Sequence, residues 1–321
     1  MNSNNNELVF SLSNVLNELG YIEESLFLIN KLVSASPNTP KYFFARANIY
    51  RLQGRLLDSI AGFIDAIQLL FVDIKGRSRV AEFKTIPAYM DVEDAAIVLF
   101  DLKSFLDENN IQFFLAYGTL LGLHRDGELL SYDHDLDIGL YWDVPRHKLV
   151  NLISQSKNFY ISEKQLASFR FDWNFSVFHK TKDVVIDFCF FKPEGEFLDS
   201  GLDHLPNPLL WRFSTFKTKL IQYRGNEYAV PENPEQYLTE IYGSNWRIPD
   251  PYFDSLVTGY NLTPESKYIS LAYAYARLYT LLDRAYWKKA FGYCHQIFAY
   301  EKEPWLVEIF GWLQVKLNED E

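Results

Sequence analysis

The chain has 321 residues, of which 48% are hydrophobic and 23% are charged. This balance is typical of a folded protein with a large core, and it excludes a chain that is disordered throughout. The formal net charge is −11, which argues against broad binding to nucleic acid but leaves a local basic pocket open. We therefore expect a globular protein with no nucleic-acid partner.

Cysteines and apolar runs indicate the compartment. Cys189 and Cys294 lie far apart and belong to no Cys-x-x-Cys motif, so we expect neither a disulfide nor structural zinc. The N-terminus lacks the basic and apolar segments of a signal peptide, and charges interrupt every apolar run before the roughly 18 residues that a membrane span needs. These features predict a cytoplasmic protein, which could still lie at a membrane surface through a partner.

The first predicted elements are helices over residues 1–75, where apolar residues recur at spacings of three and four. Gly20 and Gly54 lie 34 residues apart in turn contexts, and Ser25 and Ser59 each follow their glycine by five residues. This period resembles the helix–turn–helix repeat of the tetratricopeptide family, although two ordinary amphipathic hairpins would also fit. Two units are few for a free-standing array, so we expect them to pack on the following domain or on a protein partner.

Residues 76–90 are predicted to form a linker, and a helix is predicted over 91–109, with Asp91 as its N-cap. Beyond residue 200, six prolines predict long loops around one short helix, and residues 256–321 return to helical periodicity. Runs of β-branched and aromatic residues bounded by turns predict three strands, at Ile111–Tyr117, Leu136–Tyr141 and Val184–Phe191.

Asp135 and Asp137 form the pair of residues with the clearest chemical signal. Leu136 separates them and Ile138 follows, so in a strand both carboxylates lie on one face while the other face is apolar. Two such carboxylates repel each other unless a cation lies between them, and hard oxygen ligands favour Mg²⁺ or Mn²⁺. The spacing predicts a metal site that handles phosphates.

Three further features complete this hypothesis. Gly118 and Thr119 follow a predicted strand, where backbone N–H groups and a hydroxyl can hold phosphate. Asp187 is the only acid within the apolar run Val184–Phe191, and a lone buried charge is costly unless it is paired or metal-bound. Arg125 is a candidate to bind phosphate through its planar guanidinium.

Two segments resemble the LicD/fukutin family of the nucleotidyltransferase-fold superfamily. The first runs from Tyr117-Gly-Thr to Tyr-Asp-His-Asp-Leu-Asp137, and the second is Val230–Pro249, with its Tyr-Leu, Tyr-Gly and Trp positions. The resemblance covers roughly residues 92–250, about half the chain. It implies transfer of a phospho-alcohol, such as phosphocholine, ribitol phosphate or glycerol phosphate, from a CDP-linked donor to a glycan or lipid-linked glycan, with release of CMP.

The resemblance also assigns roles to the candidate residues. It implies that Asp135, Asp137 and Asp187 ligate two Mg²⁺ or Mn²⁺ ions. By the same resemblance Gly118 and Thr119 hold the donor phosphate and Arg125 neutralises it.

The acidic run departs from the family pattern at one position. The family usually has Trp-Asp-Asp-Asp-x-Asp, whereas this chain has His134 in place of the middle acid. In a strand His134 faces away from Asp135 and Asp137, so the metal pair is retained. Asp133 keeps the same-face spacing and is a candidate for a supporting acid or the general base.

The predicted fold class is α+β: a nucleotidyltransferase-fold mixed sheet with helices over residues 91–255, preceded by tetratricopeptide-like hairpins over 1–75 and followed by a helical region over 256–321. Two other functions fit the same residues. The domain could transfer a nucleoside monophosphate and release pyrophosphate. Alternatively, the chain could be an interaction protein whose helical repeats bind a partner and whose catalytic domain is vestigial.

Overall fold

The structure, a computed structural model, describes residues 3–76, 90–168, 171–203, 207–298 and 300–319. Apart from its two end residues, the predicted linker 76–90 lies outside the described residues.

Residues 3–76 form two helical hairpins. Each hairpin turns at a glycine with positive φ, which is +84° at Gly20 and +73° at Gly54. In the first hairpin the hydroxyls of Ser13 and Ser25 lie 2.9 Å apart where the two helices cross. The predicted N-terminal helices are confirmed, while their assignment to the tetratricopeptide family stays a prediction. The four helices are α1 (Ser3–Glu18), α2 (Ile22–Ala35), α3 (Pro40–Leu52) and α4 (Leu56–Gly76).

A mixed sheet forms the middle of the chain. Its strands are β1 (Phe113–Leu115), β2 (Asp135–Tyr141), β3 (Phe159–Tyr160), β4 (Asn174–His179), β5 (Val185–Glu194), β6 (Phe197–Leu202) and β7 (Leu209–Ser214). They lie in the order β1-β2-β5-β4-β3, with β6 pairing β5 and β7. The β2–β5 pair is parallel, whereas the other ladders of this sheet are antiparallel.

The two faces of this sheet differ in chemistry. On one face, Leu136, Ile138, Ile186 and Phe188 are fully buried in the same core as the apolar side of α5 (Val92–Glu108). The predicted N-cap of that helix is confirmed, since the Asp91 carboxylate accepts a hydrogen bond of 2.9 Å from the Asp94 N–H. Because successive side chains of a strand point to opposite faces, the carboxylates of Asp135, Asp137 and Asp187 project from the other face of the sheet.

Five shorter elements surround the sheet. They are the helices α6 (Tyr117–Arg125), α7 (Arg146–Gln155), α8 (Glu163–Ser168), α9 (Pro234–Tyr242) and α10 (Ser255–Thr258). Because α6 begins at Tyr117, the predicted strand 111–117 is shorter than expected and Gly118 and Thr119 lie in the first helical turn.

Beyond residue 200 the predicted short helix is confirmed as α9, but the prediction of long loops is wrong for residues 209–231. Besides β6 and β7, the strands β8 (Thr218–Tyr223) and β9 (Asn226–Pro231) form a two-stranded hairpin there. Most side chains of β8 are exposed or half-buried, so the strand carries little of the apolar alternation by which strands are recognised.

The C-terminal helices confirm the predicted helical region, and they pack against the N-terminal ones. The helices are α11 (Lys267–Asp283), α12 (Trp287–Ile297) and α13 (Pro304–Glu319). Phe63 and Ile67 of α4 share one buried core with Leu271 and Leu278 of α11. The turn between α11 and α12 is made at Ala285, whose φ is +57°. Its backbone hydrogen bonds repeat those of the turns at Gly20 and Gly54. The sheet domain therefore lies, in sequence, between helices that pack together.

Candidate active site

Three aspartates at the start of β2 form a tight cluster. Asp133, Asp135 and Asp137 each offer a carboxylate oxygen, and these oxygens lie within 4.8 Å of one another. Asp135 and Asp137 are the first and third residues of β2, and Leu136 between them is fully buried on the other face. The strand period of two thus places Asp135 and Asp137 together, as the spacing predicted, whereas Asp133 reaches them from the turn that precedes β2.

Asp187 lies beside this cluster on the neighbouring strand. It is the direct Cα partner of Asp137 in the parallel β2–β5 pair, so the two side chains project from the same face. The Ser176 hydroxyl of β4 donates a hydrogen bond of 2.6 Å to Asp187 Oδ1. The structure therefore brings Asp133, Asp135, Asp137 and Asp187 into one site.

Helix α6 begins directly against these carboxylates. The Gly118 N–H donates a hydrogen bond of 2.8 Å to Asp137 Oδ2, and the Asp137 N–H donates one of 2.7 Å to Thr119 Oγ1. A Cβ at Gly118 would lie 2.2 Å from Asp133 Oδ2. Only glycine permits this approach, and Tyr117 before it has a strained φ of +39°.

Burial raises the pKa of each carboxyl in the site, and repulsion between the carboxylates adds to the rise at Asp133, Asp135 and Asp137. The pKa of Asp135 rises to about 7, first through burial and then through the charges of Asp187 and Asp133. Burial also raises the pKa of Asp137 well above its usual value, with Asp135 as the largest charge contribution. Burial is likewise the largest cause of the raised pKa values of Asp133 and Asp187. Holding these groups ionised together is costly without a nearby positive charge.

Among the residues that the structure describes, no lysine or arginine forms an ion pair with these four carboxylates. Carboxylate oxygens this close together, half-buried and without a cationic side chain, are the donor set that Mg²⁺ or Mn²⁺ prefers. The residues present therefore fit a divalent cation.

Arg125 lies at the far end of α6 and has other partners. Its Nε and Nη2 donate to the two carboxylate oxygens of Asp126, at 2.9 and 2.8 Å, and Nη2 also donates to the Tyr132 hydroxyl. Its side chain is 8% exposed. The structure therefore does not place Arg125 among the carboxylates, and its role toward phosphate stays a prediction.

Two residues near the carboxylates were not among the predicted site residues. The Ser176 hydroxyl holds Asp187, and its place in the alternating strand Asn174–His179 is the one signal in the sequence. Tyr242 ends α9, and its pKa is raised by burial and then by the charges of Asp137, Asp133 and Asp135. Tyr242 lies in the Tyr-Gly part of the second segment with a family resemblance, so that pattern could have identified it.

No helix within the described ranges is both long enough and apolar enough to cross a membrane. Residues 110–233 match the family model described as LicD/FKTN/FKRP, nucleotidyltransferase domain. This match contains all of the predicted site residues and supports the family resemblance of that part of the chain.

Two known proteins are similar to parts of the chain. An uncharacterized protein of Rickettsia typhi is 24% identical over 176 residues, which is 52% of this chain and 48% of that protein. The chain thus spans about half the length of the curated relative that it matches. The crystal structure of ANT(2")-Ia in complex with adenylyl-2"-tobramycin matches 60% of this chain and 97% of that chain, at 13% identity and a TM-score of 0.31.

Proposed function

We propose that the sheet domain is a metal-dependent phosphotransferase. It would move a phospho-alcohol from a CDP-linked donor to a hydroxyl of a glycan or lipid-linked glycan, with release of CMP. One observation carries the proposal: four half-buried carboxylates gather at the starts of the parallel strands β2 and β5, beside the first turn of α6. The match of residues 110–233 to the LicD/FKTN/FKRP model supports it.

Asp135, Asp137 and Asp187 would hold the cations, and Asp133 is close enough to join them. Two bound Mg²⁺ or Mn²⁺ ions would supply charge stabilisation for the attacking and the leaving oxygens. Ser176 would keep Asp187 oriented through its hydrogen bond.

The chain's own groups would position the reactants. The acceptor oxygen forms a bond to the β-phosphorus of the donor, the bond from that phosphorus to the bridging oxygen breaks, and CMP leaves with that oxygen. Gly118 and Thr119 lie in the first turn of α6, whose partial positive charge favours the phosphates of the donor. Asp133 is the candidate to accept the proton of the acceptor hydroxyl.

Arg125 is the candidate to neutralise donor phosphate. Its guanidinium is paired with the Asp126 carboxylate, so this role requires Arg125 to exchange that partner for the donor. Gly118 and Arg125 lie seven residues apart on the same helix, which corresponds to about 10 Å along its axis.

A second candidate activity is transfer of a nucleoside monophosphate with release of pyrophosphate. The description of the matching family model as a nucleotidyltransferase domain favours it, and the same carboxylates would serve. The products distinguish the two activities, because the first releases CMP and the second releases pyrophosphate.

We also propose that the helical hairpins bind a protein partner. The alternative is that the whole chain is an interaction protein whose catalytic domain is vestigial, in which case its carboxylate cluster would bind no metal. Calorimetric titration with Mn²⁺ and CDP-choline tests this alternative, since a vestigial domain gives no metal-dependent heat.

The direct test gives the purified protein Mg²⁺ or Mn²⁺, a glycan acceptor and CDP-choline, CDP-ribitol or CDP-glycerol in turn. CMP should appear with one donor, and Asp137→Ala should abolish its release. Asp283→Asn is the matched control, because Asp283 is exposed at the end of α11, outside the sheet domain. CMP release that survives Asp137→Ala would contradict the metal assignment, and pyrophosphate as the product would favour the second activity.

A further inference from the structure

The face of the sheet that carries the carboxylates continues beyond them onto two more strands. Asp135 pairs with Val185 of β5, and Val185 pairs with Phe178 of β4. Phe178 in turn pairs with Tyr160 of β3. Residues directly opposite in adjacent strands project from one face, so these four side chains form a row across the sheet.

Two contacts establish which face this row occupies. The Ser176 hydroxyl reaches Asp187 at 2.6 Å, and Phe178 lies two residues after Ser176 on the same strand, hence on the same face. The rings of Phe178 and Tyr160 are stacked, with centroids 5.3 Å apart and an interplanar angle of 27°. Because adjacent strands lie about 4.8 Å apart, Phe178 is about 10 Å and Tyr160 about 14 Å from Asp135.

This ring pair is open to solvent. The exposed fraction of Tyr160 is 43%, and Phe178 is half-buried. Helix α8 follows β3 directly, and its Gln165 lies against the backbone of Ser176. In the amide orientation that pairs both side-chain atoms, Gln165 donates to the Ser176 carbonyl and accepts from its N–H, each at 2.8 Å. Helix α8 therefore lies beside the strand residue that holds Asp187.

Three lysines flank the ring pair along the chain. Lys157 comes just before β3, Lys164 lies in α8, and Lys180 follows β4, with its N–H 2.8 Å from the Asn158 carbonyl. All three are exposed, and within the described part of the chain none forms an ion pair with a carboxylate.

The geometry of the proposed reaction indicates which substrate would occupy this surface. The attacking and leaving oxygens of a phosphoryl transfer lie roughly in line, on opposite sides of the phosphorus. The anionic leaving group is favoured at the start of α6, which lies on the β1 side of β2, where the Ala116 N–H donates to the Asp137 carbonyl at 3.2 Å. The acceptor would then approach from the other side, over β5, β4 and β3.

We propose that Tyr160 and Phe178, with Lys157, Lys164 and Lys180, form an acceptor subsite that binds a sugar carrying a negatively charged group such as phosphate. The rings offer a flat apolar surface for the sugar ring, and the lysines attract the negative charge. This inference rests on the proposed transfer to a glycan, and it adds that the acceptor is anionic.

The test measures acceptor and donor binding separately. Glucose 1-phosphate and glucose are the two acceptor probes, observed by saturation-transfer NMR on the full-length protein with Mg²⁺. CDP-choline binding is measured by calorimetry under the same conditions. The variants are Tyr160→Ala, Tyr160→Phe and the triple change Lys157→Gln, Lys164→Gln, Lys180→Gln. The matched control changes three exposed helical lysines, Lys267, Lys288 and Lys289, to Gln.

We expect glucose 1-phosphate to bind more tightly than glucose. Its affinity should fall by about tenfold in Tyr160→Ala and in the lysine triple variant, and it should be retained in Tyr160→Phe and in the control. CDP-choline binding should be unchanged in all of these variants. Circular dichroism confirms that each variant is folded, so loss of binding is not loss of structure.

Three results would overturn the inference. The first is equal binding of glucose and glucose 1-phosphate, and the second is unchanged binding in both variants. The third is binding of phosphatidylglycerol vesicles that needs the lysines but not the Tyr160 ring, which would make this surface a membrane contact. Failure of the wild-type protein to bind or turn over any CDP-alcohol would instead contradict the proposed function. Binding of glucose 1-phosphate is measured separately, so the two failures can be told apart.

Discussion

Gly118 and Asp137 are joined by a hydrogen bond of 2.8 Å from the glycine N–H to the aspartate carboxylate, across a separation of 19 residues. The bond ties the start of α6 to the start of β2, so the helix and the acidic strand form one rigid corner. It also brings the Gly118 Cα so near to Asp133 that a side chain at Gly118 would displace that carboxylate.

Gly118→Ala should therefore weaken metal binding much more than it weakens the fold. The added Cβ would lie 2.2 Å from Asp133 Oδ2, so Asp133 must move away from Asp135 and Asp137. We expect Mn²⁺ affinity, measured by calorimetry, to fall by about tenfold or more. Gly311→Ala is the control, because a Cβ there meets no atom within 4 Å. A Gly118→Ala protein that binds Mn²⁺ like the wild type would contradict the close packing of Asp133.

Asp135→Asn should stabilise the metal-free protein. At pH 7.5 the half-buried Asp135 carboxylate lies beside Asp187 and Asp133, and an uncharged amide of the same shape removes that repulsion. We expect the free energy of unfolding in EDTA, measured by urea denaturation, to rise by about 1–3 kcal/mol. The same variant should lose most of the stabilisation that Mn²⁺ gives the wild type. If Asp135→Asn were destabilised in EDTA, the carboxylates would not be in electrostatic conflict.

Stability without metal should depend on pH through the same group. The folded-state pKa of Asp135, about 7, lies above its ordinary value of 3.8, so protonation favours the folded state. The metal-free protein should gain stability as the pH falls from 8 through 7 toward 5, since the unfolded carboxyl stays ionised until near pH 4. Thermal unfolding in EDTA at several pH values measures this, and the trend should be smaller in Asp135→Asn.

With saturating Mn²⁺ the dependence of stability on pH should reverse between pH 8 and pH 5. Protons compete with the cation for the carboxylates, so the stabilisation by Mn²⁺ should decline as the pH falls below 7. A metal-free profile that matches the profile in Mn²⁺ would show that the cluster binds no cation.

Arg125 and Asp126 should have opposite effects on use of the donor. Their bidentate ion pair competes with donor phosphate for the guanidinium if Arg125 exchanges partners as proposed. Arg125→Ala should raise the KM for the CDP-alcohol by about tenfold, whereas Asp126→Asn should lower it by a few-fold. Steady-state CMP release measures both, with Asp283→Asn as the control. An Asp126→Asn variant with a raised KM would indicate that the pair instead holds the site in shape.

The sequence predicted the acidic site because its signals are local. Alternation within Asp135-Leu136-Asp137 depends only on the strand period, and Asp187 stands out as one acid in an apolar run. The pairing of Arg125 with Asp126 could not be predicted in the same way, since a guanidinium has several possible partners and only the fold selects one.

Two parts of the fold escaped prediction for a related reason. The turn between α11 and α12 uses Ala285 with φ +57°, where the equivalent turns of the first two hairpins use glycine, so the residue type gave no signal. Strand β8 is mostly exposed or half-buried, and its contribution to the fold comes from pairing with β9 rather than from an apolar pattern.

The packing of α4 against α11 constrains how the sheet domain can be separated from the rest of the chain. Phe63 and Ile67 on α4 are fully buried in the core that they share with Leu271 and Leu278. The chain leaves the helical layer after α4 and returns to it at α11, so the sheet domain is anchored to that layer at both ends. A truncation that removes α11 to α13 would expose the apolar side of α4, and such a fragment is prone to aggregate. Deleting α1 and α2 would leave that shared core intact, but it would uncover Tyr42 and Ile49 of α3, which are buried in a separate small core with α2.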